Sequence, residues 1–391
     1  MRRRICVLLV AGLLLALALP AGAVELDVAG KSALLMDAAT GKVLYEKNAH
    51  EPLAPASVTK VMTMLLIMEA IDSGKIGWDD MVTASEAAAA KGGSQIYLKV
   101  GETMSVTDMV KSIAVSSAND CACAMAEHLA GSESAFVDRM NSRAAELGME
   151  HTHFVNCTGL DDDPQAQQHR TCAYDIALMS RQLLVNHPDI KKFTTIWMDT
   201  VRNGTFGLAN PNKLVRFYSG ATGLKTGFTS GAGYCLAASA QRDGMELIAV
   251  VMGAESSGER FAACKSMLDY GFANFALVAP EVERQTVPVK LGTATHVAVV
   301  PGENPKLLID KGQKSEVQVD IRLEEQVTAP VSQGQKLGTM TVRCGEQTLA
   351  EIPMVAQTGV RRLEWGQIFL RVLRRISMGK GCDSEKLGIR S

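Results

Sequence analysis

Three short groups of residues in this chain carry atoms suited to acyl transfer. The first is Ser57-Val58-Thr59-Lys60, opening an apolar segment that lacks glycine and proline. Pro55-Ala56 precedes it and Asp72-Ser73-Gly74 follows, so the pattern predicts a helix from about residue 57 to about residue 71. Residues three apart share one helix face, which brings the Ser57 hydroxyl and the Lys60 amine together. Lys60 stands among Val58, Val61, Met62 and Met64, where poor solvation lowers an ammonium below its usual ~10.4. A neutral lysine beside a hydroxyl is a base beside a nucleophile. The same pair would also serve as a helix N-cap with a lysine reaching for solvent, so residues elsewhere must decide. The second group, Ser117-Ala118-Asn119, falls between two predicted helices, where it would alternatively act as a cap. The third, Lys225-Thr226-Gly227, lies in a predicted strand just ahead of a hairpin. That hairpin joins two apolar runs through Arg242-Asp243-Gly244, an Asp-Gly turn.

The elements that must position these groups can be read around them. A chain of 391 residues predicts two domains. Its 47% hydrophobic and 21% charged content is that of a globular protein, and a net charge of −2 argues against a nucleic-acid binder. Arg2-Arg3-Arg4, an apolar run to Leu19 and Pro20-Ala21-Gly22-Ala23 form a signal peptide over residues 1–23. An uncleaved anchor is the other reading, and both place the body of the protein outside the cytoplasm. Of nine cysteines, Cys6 falls in the signal. Cys121 and Cys123, two apart on a helix, face different ways and read as small buried hydrophobes rather than as a metal pair. No metal, redox or phosphate-loop motif appears, so no metal or cofactor is expected.

Residues 24–279 read as the domain holding all three groups. Residues 280–356 carry period-two runs at Val297-Ala298-Val299-Val300, around Val317/Val319/Ile321/Leu323, and at Met340/Val342, which predicts a small all-β domain. In residues 357–391 the apolar Leu363, Trp365, Ile368, Phe369, Val372, Leu373 and Ile376 recur at helical spacing among arginines. A basic amphipathic helix of that kind reads as lying on an anionic membrane surface, the alternative being a helix docked on its own β domain.

In order and context the three groups resemble the Ser-x-x-Lys, Ser-x-Asn and Lys-Thr-Gly signature of penicillin-binding proteins and class A β-lactamases. The chain resembles the D-alanyl-D-alanine carboxypeptidases, low-molecular-mass penicillin-binding proteins, with sporulation-type members of Gram-positive bacteria nearest. Gly92-Gly93-Ser94-Gln95, Thr158-Gly159-Leu160-Asp161, Asp175-Ile176-Ala177 and Ala232-Gly233-Tyr234 extend the likeness over nearly the whole chain. The resemblance implies an α/β (α+β) fold: an antiparallel sheet flanked by helices, a helical subdomain, then a small all-β domain and an amphipathic helix. It implies removal of the terminal D-alanine from peptidoglycan stem peptides, with Ser57 as nucleophile, Lys60 as base and Ser117 relaying a proton to the departing amine. Asn119 would bond the substrate backbone, while Lys225, Thr226 and Arg260 would meet its carboxylate. Gly227 would let substrate approach the strand, and the N–H groups of Ser57 and Phe228 would form the oxyanion hole. β-Lactams are the implied covalent inhibitors, and the outer face of the cytoplasmic membrane the implied location.

The chain departs from the family pattern in the loop between Asp161 and Tyr174. Gln165-Ala166-Gln167-Gln168-His169-Arg170-Thr171-Cys172 stands where relatives carry a shorter aromatic-serine-threonine stretch. A DD-endopeptidase would use the same groups. A class A β-lactamase would need a Glu-x-x-Leu-Asn loop, which is missing here. An inactive wall-binding module is the reading from another functional class, and the intact trio weighs against it.

Overall fold

The computed structural model describes residues 26–162, 164–303 and 305–379. The stretch expected to be a signal peptide, residues 1–23, lies outside them. The described chain divides into two compact units.

The first unit is built on a five-stranded sheet. Its strands are β1 (Ser32–Asp37), β2 (Val43–Lys47), β3 (Ala221–Thr229), β4 (Gly233–Arg242) and β5 (Met245–Ala254), in the spatial order β2-β1-β5-β4-β3. β1 and β2 pair antiparallel, as do β3 and β4, with Thr226 opposite Leu236 and Gly227 opposite Cys235. The Lys-Thr-Gly group therefore lies on an edge strand, where one side of the backbone is free to pair with an extended peptide.

Among the helices, α1 (Lys60–Asp72) is apolar on all sides and nearly every residue in its first two turns is buried. A helix with no polar face belongs in a core, and that is the physical reason Lys60 is buried. α2 (Val106–Ser116) and α3 (Asn119–Ala130) meet at Ser117, which adopts a left-handed conformation with φ of 61° and caps α2. α4 (Glu133–Glu146) and α5 (Ala173–Asn186) complete the helical part, and α6 (Ser257–Asn274) follows the sheet.

In the second unit, which takes in the chain from residue 270, β6 (Phe275–Val278) pairs antiparallel with Leu307–Asp310. The six-stranded sheet beyond it encloses a core of Val287, Val297, Leu337, Met340, Val342, Ile352 and Met354. The period-two runs at 297–300 and 317–323 are strands as expected. The terminal helix α7 (Trp365–Gly379) exposes Trp365 at 88% and Phe369 at 65%, with Leu370, Val372 and Leu373 also exposed. Among the described residues no helix is long and apolar enough to cross a membrane.

Cys121, Cys123, Cys157, Cys172, Cys235, Cys264 and Cys344 are buried free thiols, and the Cys123 thiol donates to Glu133 Oε2 at 3.8 Å.

Candidate active site

The serine–lysine pair differs from expectation in one detail that strengthens it. The segment Ala56–Thr59 is a turn of 3₁₀ helix, and the α-helix begins only at Lys60. In a 3₁₀ turn residues three apart eclipse one another, so the Lys60 side chain stands directly against Ser57. Its Nζ lies 3.1 Å from Ser57 Oγ and donates to the Thr158 carbonyl at 2.7 Å. Lys60 is fully buried, and burial lowers the amine to about 7, with the nearby Cys157 and Asp120 pulling the other way. A neutral amine that spends one N–H on the Thr158 carbonyl has its rotamer fixed and its lone pair free for the serine proton.

The turn carrying Ser57 is conformationally unusual. Ala56, just before the nucleophile candidate, has φ of 48°, a left-handed conformation that costs a non-glycine residue about 1–3 kcal/mol. Its carbonyl accepts a hydrogen bond from Thr59 Oγ1 at 2.8 Å. The loop opposite is organised by Asn156, whose Oδ1 accepts from Thr158 N, Thr158 Oγ1 and Gly159 N. That fan of bonds aims the Thr158 carbonyl at Lys60. Gly159 has φ of +79° and sits so close to Ala56 that a Cβ would overlap the Ala56 carbonyl.

Ser117 and Asn119 stand ready for a ligand. Ser117 combines a left-handed backbone with a buried Oγ that has no hydrogen-bond partner among the described residues. Asn119 donates from Nδ2 to the Gly92 carbonyl at 2.7 Å, while its Oδ1 is buried without a partner. Buried polar atoms are normally satisfied, so two orphans two residues apart in sequence mark a place where something else binds.

On the edge strand, Lys225 is buried, and burial, then the neighbouring Lys60 and Arg260, push its amine well below the ordinary lysine range. Its Nζ donates to the Thr226 carbonyl at 3.0 Å. Arg260 is held to the same strand: Nη1 donates to the carbonyls of Gly227 at 2.8 Å and Cys235 at 3.2 Å, and its Nε is buried without a partner. Its guanidinium also lies 5.2 Å from the centre of the Tyr234 ring. Among the described residues no carboxylate pairs with Lys225 or Arg260, so the cleft concentrates positive charge that an anion would relieve. A Cβ on Gly227 would come within 2.7 Å of Pro55 O and 3.1 Å of Ser57 N, so the glycine allows the strand to close on the Ser57 turn. That contact sets the backbones of Ser57 and the Gly227–Phe228 segment side by side. Phe228 itself is half exposed and stacks on Tyr234 at 4.3 Å.

Every catalytic or substrate-binding residue expected from the sequence falls in this first unit, on the Ser57 turn or at the start of α1, at the α2–α3 junction, on β3, or, for Arg260, bonded to β3. Four further contributors escaped the sequence reading: Asn156, Thr158, Gly159 and His169. Asn156 acts through its side-chain amide oxygen, Thr158 through a backbone carbonyl that no residue type announces, and Gly159 through the absence of a side chain; Thr158-Gly159 stood out only as part of a family motif. His169 lies in the departing loop. It is buried, and burial, then His153, Arg170 and Lys60, lower its imidazole to about 4.

The sequence model of the D-alanyl-D-alanine carboxypeptidase family matches residues 20–256, and that of the penicillin-binding protein 5 C-terminal domain matches residues 272–362. D-alanyl-D-alanine carboxypeptidase DacF of Bacillus subtilis is 44% identical over 345 residues, 86% of this chain and 87% of that protein. The structure of penicillin-binding protein 5 from Haemophilus influenzae aligns with a TM-score of 0.72 at 30% identity, covering 87% of this chain and 100% of that one. Penicillin-binding protein D2 from Listeria monocytogenes, solved in an ampicillin-bound form, aligns with a TM-score of 0.58 at 32% identity over 63% of this chain and 99% of its own.

Proposed function

The chain belongs to the D-alanyl-D-alanine carboxypeptidase family of serine peptidases, and from that premise we propose the residues that do its chemistry: Ser57 as nucleophile, Lys60 as base and Ser117 as proton relay. The observation that carries the assignment is the buried Lys60 amine, 3.1 Å from Ser57 Oγ, steered by the Thr158 carbonyl and lowered to about 7. Near neutral pH about half of such an amine is free base.

The terminal carboxylate of the substrate enters the pocket of Lys225, Thr226 and Arg260, restoring the ammonium of Lys225 that burial, Lys60 and Arg260 oppose. The peptide lies along the free edge of β3, with Asn119 bonding its backbone from the other wall. Ser57 Oγ attacks the carbonyl between the two D-alanines and its proton passes to Lys60. The oxyanion is met by the N–H groups of Ser57 and Phe228. As the C–N bond breaks, the proton travels from Lys60 through Ser117 Oγ to the departing amine, leaving the acyl group on Ser57. Water, deprotonated by the same lysine, then releases the shortened peptide. A β-lactam follows the first half of this path and remains on Ser57. The free Ser117 hydroxyl and Asn119 oxygen support these two roles.

The assignment is tested by D-alanine release from a diacylated Lys-D-Ala-D-Ala peptide. Ser57→Ala should lower the rate by at least about 10³-fold and lose covalent penicillin labelling. Release at the wild-type rate would remove Ser57 from the mechanism, and cleavage of cross-linked dimers in preference to the pentapeptide end would favour an endopeptidase.

Enzymes of this family act on peptidoglycan, outside the cytoplasm. We infer that α7 holds the protein at the outer face of the membrane, lying in the interface with Trp365, Phe369 and Leu370 in the lipid. A chain ending at Ala356 should then appear in the soluble fraction with full activity; sedimentation with membranes would contradict the anchor.

A further inference from the structure

The segment around His169 is pinned to its neighbours by backbone hydrogen bonds on both sides. Arg170 exchanges two bonds with His153, and Thr171 exchanges two with Leu53, all between 2.8 and 3.0 Å. The imidazole projects from this anchored stretch toward the Ser57 turn, with the Phe154 ring edge-on at 5.7 Å.

The bonds to the ring settle its tautomer. The Val155 backbone N–H donates to Nδ1 at 3.2 Å, so Nδ1 is the acceptor and the proton sits on Nε2. Nε2 lies 2.8 Å from Thr59 Oγ1, to which it must then donate. Thr59 passes its own hydroxyl proton to the Ala56 carbonyl at 2.8 Å. One directional chain therefore runs Val155 N–H, His169, Thr59, Ala56 carbonyl. It ends on the residue whose left-handed backbone precedes Ser57, and it passes through the residue before Lys60.

We propose that His169 is a positioning residue for the reaction: through Thr59 it holds the Ala56 carbonyl, and so the geometry of the turn that presents Ser57 to Lys60. The proposal rests on Ser57 as nucleophile. The clasp works only with a neutral ring, because a second ring proton would face the Val155 N–H. The basic side chains around the imidazole, His153 and Arg170 on the bridge and Lys60 on α1, all oppose that proton, and the ring stays neutral wherever Lys60 can act as a base.

Two replacements separate the halves of the clasp. In His169→Gln the amide nitrogen reaches Thr59 as Nε2 does, whereas in His169→Asn the amide oxygen can replace Nδ1 but nothing reaches Thr59. The readout is the second-order rate of acylation by a fluorescent penicillin, with the melting temperature recorded alongside. His169→Asn should acylate about tenfold more slowly than wild type, the loss expected from one orienting hydrogen bond, and His169→Gln should recover most of it. Thr59→Val should reproduce the Asn defect, and the double variant Thr59→Val/His169→Asn should be no slower than either single one. Thr59→Val also reads the effect if an imidazole variant does not fold. Acylation that tracks melting temperature alone, equal rates for the Asn and Gln variants, or additive losses in the double variant would overturn the proposal. Wild-type enzyme that is not acylated on Ser57 would overturn the nucleophile assignment itself, and the positioning role with it.

Discussion

Lys60→Met should abolish acylation and at the same time make the protein more stable. The catalytic half follows from the loss of the base next to Ser57, worth about 10²–10⁴-fold for one well-placed proton acceptor. The stability half follows from burial. In the unfolded chain Lys60 has its ordinary value of 10.5, and in the folded protein it is lowered to about 7. Below pH 7 both states carry the proton and the folded protein bears the full cost of holding a buried ammonium. Between pH 7 and 10.5 only the unfolded state binds it, so wild-type stability rises with pH across that window. At neutral pH the cost is up to about 4 kcal/mol by linkage. Methionine fills a similar volume and suits the apolar surroundings, but leaves the Thr158 carbonyl without its donor, at about 1–3 kcal/mol. The net gain is about 2 kcal/mol, or ~4–8 °C in melting temperature for a domain of this size. The gain should shrink as the pH is raised toward 10. A melting temperature lower than wild type at pH 7 would mean that the lysine is not held as a buried, destabilising base.

Gly159→Ala should cost about 4 kcal/mol or more and remove activity from whatever folds. Two penalties act together. The residue needs φ of +79°, which alanine adopts only with strain, and its Cβ would overlap the Ala56 carbonyl and lie 2.7 Å from Thr59 Oγ1. Neither neighbour can yield cheaply, because the Ala56 carbonyl is already fixed by Thr59 and the Thr158 carbonyl must stay on Lys60. A shift of the loop by about 1 Å would misalign Lys60 and cost on the order of 10²-fold in acylation. Thermal melting combined with penicillin labelling reads both effects. Wild-type values in both would show that the loop and the Ser57 turn are not in register.

The chemistry was legible in the sequence where it resides in side chains at short spacing. Ser57 and Lys60 are three residues apart, Ser117 and Asn119 two, and Lys225 to Gly227 are contiguous, so local geometry alone brings each group together. What remained hidden depends on long-range packing. Thr158 reaches Lys60 through a carbonyl that any residue would possess. His169 meets Thr59 across 110 positions, and nothing in either neighbourhood names the other. The depth of burial of Lys225 and Arg260 was likewise invisible, since an edge strand and a helix start are ordinarily exposed settings for basic residues. The helix start at Ser57 was displaced for a physical reason: Ala56 in a left-handed conformation and the close approach of Gly159 leave room only for a tight 3₁₀ turn before α1. The alternation of Val297 to Val300 and Val317 to Leu323 gave the second unit directly, because one face of that sheet packs on a core.

The central claim is that a neutral Lys60 is the base for attack by Ser57, and the pH dependence of acylation by benzylpenicillin tests it most directly. The second-order rate should rise as the pH passes through about 7 and then level off, following loss of the proton from the buried amine. A rise centred near 10.5, where an ordinary lysine titrates, would contradict it.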